Sequence, residues 1–310
     1  MSYRLLTHRA GRQARAGLLV GERVYDAARL TGVAAYASVL GILADWPRAS
    51  RALRRAAKAV ARPRSRAQGV PLARARLLAP VPCPGEVFCA GANYTDHVEE
   101  MARSHGRPPE PDPRSQGLSP WHFVKTSRAS VVGPGAEVRL PAYSQAVDWE
   151  IELAAVIGRP ARDVPVARAL DCVAGYTIAN DLSARDVFLR KPVPEFSPFR
   201  WDWISQKCFE GACPTGPWIV PASDIPDPQN LAMKLWVDGE LLQDSNTARM
   251  IFSTAEQIAH LSTRVTLQPG DLVLTGTPAG VGFARQRFLK PRQTVKLWIE
   301  RIGEFEHRLT

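Results

Sequence analysis

The chain has 310 residues, 45% of them apolar and 23% charged, a composition typical of a folded protein and too apolar for a disordered one. No run approaches the roughly 18 consecutive apolar residues of a membrane helix, and the N-terminus lacks the apolar core of a secretory signal. Its five cysteines form no C-x-x-C pair, which disfavours a disulfide framework or a zinc ribbon. We therefore expect a cytoplasmic protein without membrane association.

The net charge of +10 is unevenly distributed. Residues 1–80 hold 16 Lys and Arg against three acidic residues, a net charge of +13, and the remainder carries −3. The run at 48–58 is rich in Ala and Arg, which favours a helix with a solvated basic face. A polyanion site is the alternative, but the segment lacks the interleaved aromatic residues of nucleic-acid binders. We expect no nucleic-acid partner.

The first 80 residues predict a small N-terminal domain. Short apolar alternations at 17–20 and 24–25 precede a helical run over 47–61. The Pro-rich stretch 79–85 then marks a boundary, and residues 81–310 form the second predicted domain.

The sequence pattern of the second domain predicts short strands separated by turns. Asp238-Gly239 predicts a hairpin turn, and Ser253 with Glu256 predicts a capping box that opens a helix to about His260. Because strands and helices do not alternate regularly, we expect an α+β, mainly β fold of the roll or sandwich type. The Pro-rich loop 106–114 can be neither helix nor central strand. The predicted strands are 86–90, 130–140, 149–157, 173–180, 217–220, 231–237, 271–275, 293–300 and 303–308.

Two glutamates open one predicted strand. Glu150 and Glu152 are two residues apart and so share a face, and the apolar run 153–157 after them indicates burial. Buried carboxylates require a compensating cation or proton. The alternative is a half-exposed strand whose wet face holds Asp148 and both glutamates.

A third carboxylate follows the apolar strand 173–180. Asp181 either joins the two glutamates or caps a following helix. Three carboxylates without a nearby His or Cys would form an all-oxygen site, which selects Mg²⁺, Mn²⁺ or Ca²⁺.

A candidate general base lies further upstream. His97 and Glu100 are three residues apart and so neighbours on a helix face, where a carboxylate can orient an imidazole; a plain surface pair is the alternative. The Gly-rich loop 275–282 lacks a P-loop's Lys and a following helical pattern, but its amides could hold a carboxylate.

Together these stretches resemble the fumarylacetoacetate hydrolase family, in the smaller bacterial branch that includes acylpyruvases and 2-oxo-acid isomerases and decarboxylases. The resemblance covers about residues 83–308. The segments that carry it, in family order, are Gly91-Ala-Asn-Tyr-Thr-Asp-His97, Asp148-Trp-Glu-Ile-Glu152, 175–186, Cys213-Pro-Thr-Gly-Pro217 and 274–280.

The resemblance implies a mixed β-roll catalytic domain, usually homodimeric, preceded by a small N-terminal domain. It also implies a Mg²⁺ or Mn²⁺ centre, a 2-oxo acid substrate and a place in the breakdown of aromatic compounds. The implied roles are metal ligands at Glu150, Glu152 and Asp181, catalytic residues at His97, Glu100 (both on a lid helix) and Lys207, and substrate contacts at Arg185, Lys125 and Thr277.

The implied reaction is metal-dependent hydrolysis of a C–C bond in a 1,3-diketo acid of the acylpyruvate or fumarylpyruvate type, by water that His97 activates. The alternatives are a decarboxylase or keto–enol isomerase on the same site and, more distantly, a non-catalytic anion- or nucleic-acid-binding protein. Phe188 departs from the family's usual Gln, the lid segment 103–120 is long, and residues 188–206 are unusually aromatic. These departures predict a larger or less polar substrate.

Overall fold

The computed structural model describes residues 2–63, 65–108 and 110–310. Its fold is mixed α+β and mainly β, as expected. The α-helices of these residues are α1 (Ala27–Thr31), α2 (Val39–Ala44), α3 (Trp46–Val60), α4 (Thr95–Ser104), α5 (Ser127–Ser130), α6 (Val166–Ala169), α7 (Trp203–Lys207), α8 (Thr254–Arg264) and α9 (Gly282–Arg285). No helix among them is long and apolar enough to cross a membrane.

The strands fall into three sheets. They are β1 (Arg4–Ala10), β2 (Gln13–Val20), β3 (Arg23–Asp26), β4 (Val70–Pro71), β5 (Val87–Ala90), β6 (His122–Lys125), β7 (Val131–Val132), β8 (Glu137–Val138), β9 (Val147–Asp148), β10 (Ile151–Ile157), β11 (Val173–Asn180), β12 (Ser183–Ala184), β13 (Cys213–Pro221), β14 (Ala232–Val237), β15 (Glu240–Asn246), β16 (Leu272–Leu274), β17 (Thr294–Ile299) and β18 (Gly303–Leu309).

The largest sheet runs in the order β4-β3-β2-β1-β13-β11-β10-β16-β5-β6, with β7 beside β13. Its centre is buried on both faces: every residue of β10 and β11 is buried. A second sheet, β15-β14-β17-β18-β8, covers one face, and β9 pairs with β12. The main apolar core lies between the two large sheets, and a second core lies under α2 and α3.

The helix and hairpin signals are confirmed. Helix α3 buries Trp46, Leu53 and Val60 and leaves Arg51 and Arg55 exposed, as its pattern indicates. The capping box of α8 forms on both sides. Asp238 and Gly239, both at positive φ, join β14 to β15.

Some strand predictions are wrong in extent. Residues 130–140 form two short strands, β7 and β8, because Pro134 and Gly135 (φ 71°) turn the chain between them. Predicted strand 217–220 is part of the longer β13, and strands β1, β4, β6, β9 and β12 match no predicted strand or apolar alternation. A one-turn helix, α9, does follow the loop 275–282.

Candidate metal centre and substrate cleft

The three predicted ligand carboxylates meet inside the protein. Glu150, Glu152 and Asp181 are at most 6% exposed, and each places an oxygen within 4.8 Å of the other two. Antiparallel pairing of β10 with β11 sets Ile151 opposite Asn180, so the start of one strand lies beside the end of the other. The half-exposed strand is therefore wrong, and so is the helix cap at Asp181, because β12 follows it.

Three cationic side chains contact these carboxylates. Lys207 Nζ lies 3.1 Å from a Glu150 oxygen and 2.8 Å from an Asp181 oxygen. Lys125 Nζ donates to the other Asp181 oxygen at 2.5 Å, and Arg185 donates to Glu150 and to Asp148. The structure thus brings Lys125, Lys207 and Arg185 to the predicted centre.

The pKa values of the two glutamates are shifted in opposite directions. Burial alone would raise the pKa of Glu150, but Lys207 and Arg185 lower it to about 2. Burial and the neighbouring charges of Asp181 and Glu150 raise the pKa of Glu152 well above its usual value. Glu152 accepts the Gly276 amide at 2.6 Å but has no cationic side chain bonded to it among the described residues.

This arrangement fits a divalent cation. The donors are all carboxylate oxygens, which hard cations such as Mg²⁺ and Mn²⁺ prefer. Among the described residues Glu152 is bonded to a backbone amide and to no cationic side chain, so positive charge is lacking on that side of the cluster, and a dication would supply it.

Arg185 connects the carboxylates to an open cleft. The cleft has a volume of about 1360 Å³, and its walls include Met101 of α4, Phe188 and Phe283. Asp148, which accepts hydrogen bonds from the Gly282 and Phe283 amides and from Arg185 Nε–H, holds the guanidinium at the wall of the cleft. The sequence identified Asp148 as a carboxylate but not this role.

The predicted base lies on α4. Burial lowers the pKa of His97 to about 4, and Glu150 and Arg185 are among its nearby charges. Its Nδ1 atom is buried and has no partner among the described residues. Glu100 instead accepts the Gly280 amide at 2.8 Å, so in this structure it ties α4 to the loop 275–282 rather than bonding to His97.

Thr277 lies in that loop and is 5% exposed. Its hydroxyl accepts a hydrogen bond from Gln243 of β15 at 2.9 Å. Sequence reasoning missed Gln243, because a single Gln in a hairpin strand carries no signal of what it faces.

Comparison with known proteins gives one consistent family. Residues 86–310 match the model for the fumarylacetoacetate (FAA) hydrolase C-terminal region. The human mitochondrial oxaloacetate tautomerase FAHD2B is 41% identical over 236 residues, which are 76% of this chain and 69% of that protein.

Solved structures resemble nearly the whole chain, and two of them are named for specific reactions. One is maleylpyruvate hydrolase from Sphingobium sp. SYK-6 in complex with manganese(II) and pyruvate (TM-score 0.75, 29% identity, 99% of this chain and 98% of that one). The other is 2-hydroxyhepta-2,4-diene-1,7-dioate isomerase from Mycobacterium marinum (TM-score 0.69, 31% identity, 100% and 98%).

Proposed function

Since the chain belongs to the fumarylacetoacetate hydrolase family, we propose that it catalyses keto–enol tautomerisation of a 2-oxo acid of the oxaloacetate type. The observation that carries the proposal is the meeting of Glu150, Glu152 and Asp181 around one point, with Arg185 between them and the cleft. The choice of tautomerisation over hydrolysis rests on the relative named for that reaction, which is 41% identical.

Different residues of the site would have different roles in such a reaction. A divalent cation held by the three carboxylates would supply the electrophilic pull on the 2-oxo oxygen that makes the neighbouring C–H acidic. Arg185 and Thr277 would hold the substrate carboxylate from two sides. Asp148 keeps the guanidinium in place through its own hydrogen bond, so little ordering is needed when substrate binds.

Proton transfer is assigned to His97. Because its pKa is lowered to about 4, the imidazole is neutral at pH 7 and can accept the proton from carbon. Lys207 remains charged, because Asp181 and Glu150 raise its pKa against the opposing effect of burial. Its ammonium would offset the negative charge that develops on the substrate.

Hydrolysis of a 1,3-diketo acid is the second candidate. The cleft favours it, because a volume of about 1360 Å³ beside Arg185 leaves room for an acyl group that oxaloacetate lacks. In that reaction His97 would deprotonate water instead of carbon. Decarboxylation would use the same carboxylate centre.

The reactions can be separated with metal-stripped protein reloaded with Mn²⁺ or Mg²⁺. We expect the reloaded protein to accelerate the ketonisation of enol-oxaloacetate, which is monitored by the ultraviolet absorbance of the enol. His97→Ala should lower that rate about 10²- to 10⁴-fold while Mn²⁺ still binds. Wild-type rates in the variant would contradict the assignment of the base. Pyruvate plus a free acid from an acylpyruvate would indicate hydrolysis, and CO₂ release from oxaloacetate would indicate decarboxylation.

We also propose that the protein is a homodimer. Apolar side chains are unusually exposed along one segment next to the cleft, with Phe196 97%, Phe199 72% and Ile204 65% accessible. Such patches often mark protein–protein contacts, and twofold homodimers are the commonest assemblies. Sedimentation velocity gives the oligomeric state directly.

A further inference from the structure

Gln243 is a fully buried amide that joins two parts of the site. Its Oε1 accepts the Ile151 N–H at 3.0 Å, between the two ligand glutamates. Its Nε2 donates to Thr277 Oγ1 and to the Pro278 carbonyl, both at 2.9 Å. One side chain of β15 therefore spans from the ligand strand β10 to the loop 275–282.

These contacts fix which way the amide faces. A backbone N–H can only donate, so the atom opposite Ile151 must be the amide oxygen. A carbonyl can only accept, so the atom opposite Pro278 must be the amide nitrogen. The flipped amide would place its NH₂ group against the Ile151 N–H, donor against donor, and its oxygen against the Pro278 carbonyl, acceptor against acceptor. In a buried site without water both contacts are costly.

The fixed amide in turn fixes the polarity of Thr277. The threonine oxygen accepts from Gln243, and its hydroxyl hydrogen donates to no acceptor among the described residues. A hydroxyl held in this way offers a donor to whatever binds next to it. Its natural partner is an anionic oxygen, which accepts stronger hydrogen bonds than a neutral one.

We propose that Gln243 is a positioning residue for substrate binding: it holds the Thr277 hydroxyl as a donor to the substrate carboxylate and sets its position relative to the ligand strand. The inference rests on the proposed function, because that function places the carboxylate at Thr277. Gln243 itself acts through Thr277 and need not touch the substrate.

The test measures binding of oxalate, a planar mimic of a 2-oxo acid, to Mn²⁺-loaded protein by calorimetry. Gln243→Met keeps the volume close and removes all three hydrogen bonds, and we expect about tenfold weaker oxalate binding with Mn²⁺ affinity unchanged within threefold. A loss of less than threefold, or a larger loss of Mn²⁺ affinity, would overturn the positioning role.

The decisive comparison is a double-mutant cycle with Thr277→Val. If Gln243 acts through Thr277, the Gln243 substitution weakens oxalate binding by less than a further threefold once the hydroxyl is absent. A further loss of threefold or more overturns the proposal. If Gln243→Met does not fold, Gln243→Glu, which keeps an acceptor for the Ile151 N–H, goes through the same cycle.

A matched control is Gln257→Met. Gln257 lies on helix α8 and is equally buried, and its amide donates to the Phe252 carbonyl at 3.0 Å. Oxalate affinity should stay within threefold; a larger change would show that losing any buried amide weakens the site and would overturn the proposal.

A wild-type protein that binds oxalate but turns over no 2-oxo acid would count against the proposed reaction alone. Absence of oxalate binding would overturn both.

Discussion

Glu150 and Glu152 show how two residues of one type, two positions apart, take different electrostatic states. Glu150 contacts Lys207 and Arg185, which hold it ionised. Glu152 faces the Gly276 amide and two other carboxylates, and its pKa is raised. Without a dication the second glutamate is therefore the one that takes up a proton, and binding a dication would release it.

This difference predicts opposite effects of two amide substitutions. In metal-free protein at pH 7, Glu152→Gln should leave the free energy of unfolding unchanged or raise it, because it replaces a group that already resists ionisation. Glu150→Gln should lower it by about 3 kcal/mol, because it leaves two buried cations poorly compensated. Urea unfolding measures both.

Metal binding supplies the second half of the comparison. Wild-type protein should gain stability in Mn²⁺, about 2.7 kcal/mol at 100 times the dissociation constant, and Glu152→Gln should lose most of that gain. A metal-free Glu152→Gln protein less stable than Glu150→Gln would contradict the electrostatic account.

At this scale the sequence predicts carboxylates better than their partners. Glu150, Glu152 and Asp181 could be predicted because two share a strand face and the third ends an apolar strand. Nothing in the sequence shows that Lys125, 56 positions from Asp181, would bond to it, and that role differs from the substrate contact the resemblance implies. The contacts of Gln243 with Ile151 and Thr277 depend on how the second sheet packs against the first, which no local pattern encodes.

Among the elements, the Pro-rich segment after α4 is attached to helix α8 through Arg114. Arg114 makes two bonds to Glu256, at 2.6 and 2.9 Å, and also donates to the Ile251 carbonyl. Its guanidinium lies 5.0 Å from the Phe252 ring centroid. Glu256 also completes the capping box of α8, so the long segment predicted as a lid is attached to a well-capped helix.

Removing this attachment should loosen the segment without unfolding the protein. We expect Arg114→Ala to increase backbone hydrogen exchange in residues 105–120 while exchange in β10 and β11 stays slow. The cost in global stability should be under about 1 kcal/mol, because the pair is partly exposed. Arg103→Ala, which breaks the more exposed pair with Glu99, is the control; equal exchange in both variants would rule out a special role for Arg114.

Element prediction worked where the signal is local and failed where pairing decides. The capping box, the Asp-Gly turn and the mostly apolar strand 173–180 can each be recognised from local sequence. Strand β6, whose His122 and Lys125 interrupt the apolar pattern, exists because it pairs with β5. Strand β1 likewise depends on pairing with β2 and β13.

Over the whole molecule, buried histidines make stability depend on pH. His307 is inaccessible to solvent, and burial lowers its pKa to about 3; His122 is lowered to about 4, also by burial. Between these values and the ordinary 6.5, the unfolded chain binds protons that the folded chain does not. Stability is therefore fully present above pH 6.5 and falls as the pH is lowered.

Replacing His307 with Gln should flatten this dependence. Below pH 6.5 one such histidine contributes at most about 1.4 kcal/mol per pH unit to the slope of unfolding free energy, and His307→Gln should remove that share. Gln can still accept the bond from Asn180 that His307 now receives at 2.9 Å. Parallel curves for both proteins down to pH 4 would contradict the assignment; above pH 7 they should be parallel.

The antiparallel contact of β1 with β13, where Leu5 lies opposite Ile219, has a consequence for shortened chains. A fragment starting at residue 81 would lack β1 and would leave backbone amides and carbonyls of β13 around Ile219 unpaired. Unpaired strand edges of this kind promote edge-to-edge aggregation. The hairpin of β1 and β2 thus covers an edge of the sheet that contains the carboxylates, and removing it would make the protein prone to aggregation.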